Sequence, residues 1–338
     1  MAKEVKGFLR CEGQNFVNGD GERVLLRGVG LGNWLLPEGY MWKFASNRAD
    51  RPHKIERVIE ELTGADYAKK FWKEFSENYI TEVDIKAIAE MGYNHIRIPM
   101  NWRGLMEDGP DIKFKEYGFS LIDRCLDLCE KYGLYAFLDL HGAPGGQTGA
   151  NIDDSIDDLP RLFIDRDSYD KGVALWVEIA KRYKDRWIVG GYDLLNEPIR
   201  TPNEFGNVDH FVPKLKEFYE DCICEIRKID DKHLFSLEGH HWATRLDIFD
   251  RKYDDNYCLH FHRYWNAPDT TILQSYLEAR DKWNIPLWIG ETGENTIEWY
   301  TMLFFMCDQH NISWNFWPWK KMDTINSQYS IKKPENFA

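Results

Sequence analysis

Residues 190–200, GGYDLLNEPIR, finish an apolar run with Asn196, Glu197 and Pro198, leaving a carboxylate where a strand should stop. A second glutamate, Glu291, occupies the same kind of position in PLWIGETG, residues 286–293. Two carboxylates meeting across a shared mouth are what hydrolysis of a glycosidic bond requires. One must be protonated to give its proton to the leaving oxygen, and the other ionised to attack or stabilise the anomeric carbon. Arg97 in NHIRIPM would hold Glu291 ionised, while burial or like charge at Glu197 would raise its pKa. A retaining reaction needs the pair about 5 to 5.5 Å apart and an inverting one about 6.5 to 9.5 Å, and both are open at this point.

The elements that must position these groups read as alternating strands and helices. Residues 7–31 form a hairpin turned at Asn18-Gly19-Asp20-Gly21 that runs into a first buried strand. Residues 53–77 carry helical periodicity broken at Thr63-Gly64, and 80–92 make an amphipathic helix. Strands then fall at 94–100, 134–142, 189–198, 233–239, 257–265, 286–293 and 312–320, with helices at 119–133, 168–184, 212–229, 271–284 and 295–311. The strands are mostly continuous in apolar residues, as parallel strands buried on both faces should be. The pattern predicts a closed (β/α)8 TIM barrel, a single domain over 1–338, with an N-terminal β-hairpin cap. Only residues 321–338 follow the last strand, so an incomplete eighth helix is expected.

Such barrels react at the C-terminal ends of their strands. Those ends carry Glu38 after the first, Arg97 and Asn101 on the second, His141 on the third and Asn196 and Glu197 on the fourth. His262 and Tyr264 end the sixth, Glu291 the seventh and Trp317 the eighth. Singly, each has an ordinary structural reading: an ion-pair arginine, a rim histidine, a core tryptophan. Their coincidence on one face does not.

Composition narrows the partners. Aromatic residues make up 15% of the chain, with 14 Trp and 17 Tyr, and flat rings suit sugars and other amphipathic ligands. The formal charge of −13 repels nucleic acid and anionic lipid, favouring a neutral or cationic ligand. The opening MAKEVKGFLR has no apolar signal core and no run approaches about 20 apolar residues, so no membrane partner is expected. Compartment stays open between cytoplasmic and secreted with a signal removed, and so does oligomeric state. The 7 cysteines read as mainly buried free thiols without the paired spacing of a zinc site.

The chain resembles glycoside hydrolase family 5, the cellulase-like retaining (β/α)8 enzymes, from about residue 8 to 322. HIRIPMNW, DLHGAPGGQTG, DLLNEP, HFHRYW, WIGETG and WNFWPWKKM carry the likeness. The resemblance implies Glu197 as acid/base, Glu291 as nucleophile, Arg97 as the arginine that keeps the nucleophile charged and Asn196 as the amide on the sugar 2-hydroxyl. It further implies that His141, His262 and Tyr264 fix the catalytic groups and that Trp317 is the platform under the sugar in the −1 subsite. No cofactor or metal is implied.

DLHGAPGGQTG and GNWLLPEGY look like stretches of the exo-β-1,3-glucanase branch, which places Glu38 on the hydroxyls of a terminal glucose. The sequence departs from that branch at Pro37 and Gly39-Tyr40-Met41-Trp42, and in the acidic loop ANIDDSIDD at 150–158. A β-glucan oligosaccharide or polysaccharide, or a β-glucoside, is the expected substrate, with exo action favoured and an endo-β-1,4-glucanase as the alternative. Two readings from other classes stand beside it. One is a carbohydrate-binding barrel without activity. The other is a metal-dependent hydrolase using His141, His260, His262 and Glu197, since residues 260 and 262 share a strand face.

Overall fold

The computed structural model describes residues 4–44, 48–204 and 206–335. Its parallel strands are β1 (Arg27–Gly30), β2 (His95–Asn101), β3 (Tyr135–Gly142), β4 (Val189–Asp193), β5 (Leu234–Glu238), β6 (Tyr257–His262), β7 (Leu287–Gly293) and β8 (Ser313–Trp317). They close a barrel in the order β7-β8-β1-β2-β3-β4-β5-β6, with β6 pairing back onto β7. Every residue of β2 and β3 is buried, which is why HIRIPMN and YAFLDLHG read as continuous runs rather than alternating ones.

Around the barrel lie α3 (Glu82–Glu90), α4 (Glu116–Tyr132), α5 (Arg166–Tyr183), α6 (Val212–Arg227), α7 (Gln274–Trp283) and α8 (Ile297–Gln309), preceded by the inserted pair α1 (Pro52–Thr63) and α2 (Ala65–Asn78). α4 shows how they dock: Phe119, Ile122, Leu126 and Cys129 recur at helical spacing and are buried, and the helix stops at a left-handed Gly133. The connection from β5 to β6 holds only the short turn His240–Ala243. The inserted pair does local work. Phe71, Trp72 and Phe75 of α2 pack with Met41, Trp42, Ala49 and Ile55 against Trp317, building a wall behind the eighth strand end.

At the opposite end of the barrel, the strands Arg10–Glu12, Asn15–Val17 and Arg23–Val24 form an antiparallel cap. It is tied to strand beginnings by Lys6 N–H donating to the Tyr135 hydroxyl (3.0 Å) and Cys11 N–H donating to Asn256 (2.9 Å). The expectation of a partial eighth helix is corrected. Described residues after β8 form a ribbon, Lys320–Met322 with Tyr329–Ile331, and Trp319 between β8 and the ribbon is only 1% exposed. The indole of Trp319 and the Lys320 ammonium both donate to Asp84 of α3 (3.0 and 2.7 Å). No helix among the described residues is long and apolar enough to cross a membrane. Cys125, Cys129, Cys222, Cys258 and Cys307 are buried free thiols, whereas Cys224 is exposed.

Candidate active site

The C-terminal rim of the barrel surrounds a cavity of about 640 Å³ lined by Glu38, Tyr40, His141, Glu197, His262, Tyr264, Glu291, Glu294 and Trp317, with Trp242 and Trp265 at its mouth. A carboxylate oxygen of Glu197, one of Glu291 and a ring nitrogen of His262 all lie within 4.8 Å of one another.

Glu197 sits outside its strand. β4 ends at Asp193, and Glu197 takes a left-handed backbone (φ +43°) that a non-glycine residue holds only when its surroundings impose it. The GGQTG stretch after β3 imposes it. Gln147 donates to the Asn196 carbonyl (2.8 Å), the Thr148 hydroxyl donates to the Glu197 carbonyl (2.7 Å), and Ile199 N–H donates to the Gln147 carbonyl (3.0 Å). From the far side the Glu197 N–H donates to Glu238 at the end of β5 (2.6 Å).

Arg97 is the hub beneath the pair. Its guanidinium, fully buried, donates to Glu291, to Asp193 (2.8 Å), to Asn196 Oδ1 (2.9 Å) and to Glu238 (3.0 Å), and is ion-paired with Asp139 (3.1 Å). Tyr264 donates its hydroxyl to the other oxygen of Glu291 (2.5 Å). His141 faces Asp139 through Nδ1 (2.8 Å), accepts from the Asn196 amide through Nε2 (3.2 Å) and stacks on Trp317, with centroids 5.5 Å apart and planes 6° from parallel. The Trp317 ring in turn lies on β1 so closely that a Cβ at Gly30 would fall 2.4 Å from it.

Burial raises both glutamates, and what surrounds them separates the two. Burial, then the like charges of Glu291 and Glu38, push the Glu197 carboxyl well above its usual range. Burial also raises Glu291, but Arg97, His141 and Tyr264 oppose it. Burial pushes His141 down to about 3, so it is neutral.

Glu38 is 3% exposed, its N–H held by Asn33 Oδ1 (3.1 Å). Its Oε1 is buried with no hydrogen-bond partner among the described residues, inside the cavity. Beyond it Lys321 pairs with Glu294, and the Tyr40 hydroxyl accepts from the Trp317 indole (3.0 Å).

All nine expected site residues therefore lie together, while Asn101 turns away to cap the next turn and hold Asp154. The acidic loop also turns inward: Asp153 accepts from Thr148, Gly149 and Ser155 N–H groups, and Asp154 from His53 and Arg103. Asp139, Asp193 and Glu238 were missed as site residues. Glu238 was findable, as it ends the fifth strand in HLFSLEG. Two groups, Glu238 with His260 and His262 and Glu197 with His262 and Glu291, gather atoms of metal-ligand type. The ring nitrogens of both histidines are already spent on protein partners, so an ion would have to break those bonds.

Comparison with known proteins follows the same lines. A family model described as Cellulase (glycosyl hydrolase family 5) matches residues 58–323. The chain is similar to a β-xylosidase of Phanerodontia chrysosporium, 28% identical over 305 residues, covering 85% of this chain and 61% of that protein. It is 26% identical over 317 residues to endoglucanase C of Acetivibrio thermocellus, covering 75% of this chain and 88% of the relative. A probable glucan 1,3-β-glucosidase A of Aspergillus clavatus is 27% identical over 241 residues, covering 71% of this chain and 55% of that protein.

Proposed function

The chain belongs to glycosyl hydrolase family 5, and from that premise we propose that it is a retaining β-glycoside hydrolase acting by double displacement. The carrying observation is the approach of Glu197 and Glu291 oxygens to within 4.8 Å, close to the roughly 5 Å spacing of retaining pairs and short of the gap an inverting water needs. Glu291, bonded to Arg97 and Tyr264, is the nucleophile that attacks the anomeric carbon. Glu197, the more strongly raised carboxyl, gives its proton to the leaving oxygen, then takes one from the water that frees the sugar from Glu291. Asn196, oriented by His141, serves the 2-hydroxyl, His262 holds Glu197, Tyr264 holds Glu291, and Trp317 is the floor under the sugar.

The substrate reading is a β-glucan or β-glucoside cut from its end. The partnerless Glu38 oxygen is an acceptor waiting for sugar hydroxyls, and the Glu294–Lys321 pair stands beyond it as a wall. Likeness to the glucan 1,3-β-glucosidase supports this. Endo action on β-1,4-glucan is the second reading, favoured by the endoglucanase whose length the match nearly fills.

The test is hydrolysis of aryl β-glucosides and of laminarin, lichenan and carboxymethylcellulose, with products sized over time. Glu291→Ala should fall to background. Glu197→Gln should lose about 10²- to 10⁴-fold on poor leaving groups and far less on activated ones, which need no proton. Glucose alone from the start supports exo action, whereas a ladder supports the endo reading. Equal rates for wild type and Glu291→Ala would sink the assignment.

A further inference from the structure

His260 is buried completely, points into the barrel from β6 and has no part in the reaction described above. Its ring lies in a continuous chain. His260 Nδ1 faces Asp193 Oδ1 (3.2 Å) and the Ser236 hydroxyl (2.9 Å), the two Nε2 atoms of His260 and His262 face each other at 3.0 Å, and His262 Nδ1 faces Glu197 Oε1 (2.8 Å). The ring is closely enclosed: a Cβ at Gly290 of β7 would fall 1.6 Å from His260 Nε2, and the Trp288 ring lies tilted against it, centroids 4.5 Å apart.

The chemistry of the ends fixes the protons between them. Against burial, which would raise it, the hydrogen bond from His260 and the charge of Arg97 hold the Asp193 carboxyl below its usual range, so it accepts only. Burial keeps both imidazoles neutral. His260 therefore carries its proton on Nδ1 and presents a bare Nε2. His262 must donate from Nε2, which leaves its own Nδ1 bare. A bare nitrogen 2.8 Å from Glu197 bonds to a carboxylic acid and repels a carboxylate.

We propose that His260 is a positioning residue: locked by Asp193, it selects the His262 tautomer whose Nδ1 lone pair keeps the proton on Glu197. This rests on Glu197 being the acid/base. The device serves both steps, because the same lone pair that holds the proton before bond cleavage makes the spent carboxylate a keener acceptor of the proton from water. Other charged and titratable groups face this chain from every side. Around Glu197 they are Glu38 after β1, Arg97 of β2, Asp139 and His141 of β3, Glu238 of β5, Tyr264 after β6 and Glu291 of β7. Around His260 they are Asp193, Arg97 and Glu238, the last 3.4 Å away. None of them is replaced in a His260 variant, and the Phe and Gln variants both remove the imidazole from beside Asp193 and Glu238, so a difference between those two variants at Glu197 reads the relay.

The test is the pH profile of kcat/KM on an aryl β-glucoside with a poor leaving group, whose alkaline limb reports the loss of the Glu197 proton. His260→Phe should move that limb down by about one pH unit, the scale of one hydrogen bond to a buried acid, and leave the acid limb in place. His260→Gln, whose amide oxygen can still accept from His262, should keep the wild-type limb. A Phe variant slower at every pH with its limb unmoved overturns the proposal, as does a Gln variant that shifts equally. Independent of activity or of variant folding, ¹⁵N shifts of wild-type histidines should show His262 protonated at Nε2, and protonation at Nδ1 overturns it. A wild type inactive on every β-glycoside would defeat the hydrolase reading instead, and the tautomer would still decide this one.

Discussion

At the scale of single residues, the site holds its carboxylates at a cost that pH should expose. Glu38 is the simplest case: burial, then Glu291 and Glu294, push its carboxyl well above the usual range. The folded chain therefore keeps a proton there that the unfolded chain has released, over the window from the ordinary glutamate value near 4.3 up to the raised one. Stability falls as pH rises through that window. Glu38→Gln removes the ionisation, so its melting temperature should match wild type near pH 4 and exceed it increasingly toward pH 8. Activity should move the other way, through KM, because the amide can never become the carboxylate that hydrogen bonds from a bound sugar's hydroxyls would favour. A variant whose melting temperature keeps the wild-type dependence on pH would mean that folding does not raise the Glu38 carboxyl above its value in the unfolded chain. Arg97 shows why the remaining acids tolerate burial: one fully buried guanidinium reaches Asp139, Asp193, Glu238 and Glu291.

At the scale of elements, the seam between β8 and β1 is closed by a ribbon rather than a helix. Trp319 carries that closure, buried beside the core and bonded to Asp84, with Tyr329 of the ribbon packed 4.8 Å away. Trp319→Ala should cost about 3–5 kcal/mol, the usual loss for a buried aromatic, read from urea denaturation. A cost under about 1 kcal/mol would mean the seam is sealed by other contacts. The ribbon was not legible in KKMDTINSQYSI, whose short polar run has no period that separates it from a loop. The barrel was legible because strands buried on both faces write themselves as apolar runs, and its ends named the reacting face. What escaped were local departures. Val189–Asp193 stops four residues short of Glu197, and the left-handed residues at 197 and 199 then turn the chain without a glycine to mark the turn. Asp139 and Asp193 read as strand residues interrupting apolar runs, since only the closed barrel reveals an arginine at their centre.

At the scale of the whole molecule, the charge of −13 and the acids around the mouth should sort substrates before any contact is made. The field acts over the Debye length, about 10 Å at 0.1 M salt and about 30 Å at 0.01 M, so its effect on an anionic polymer is largest in dilute buffer. A neutral β-glucan feels none of it. Carboxymethyl substitution of the same glucan should therefore depress kcat/KM at low ionic strength, and the deficit should shrink several-fold as salt is raised toward 0.5 M, where screening reaches only a few ångströms. The neutral substrate should hold constant over the same range, which separates screening from any effect of salt on the fold. Steric exclusion of the substituent by the Glu294–Lys321 wall would give a deficit that salt leaves untouched. The salt series thus distinguishes a molecule that repels acidic sugars at a distance from one that rejects them in the pocket.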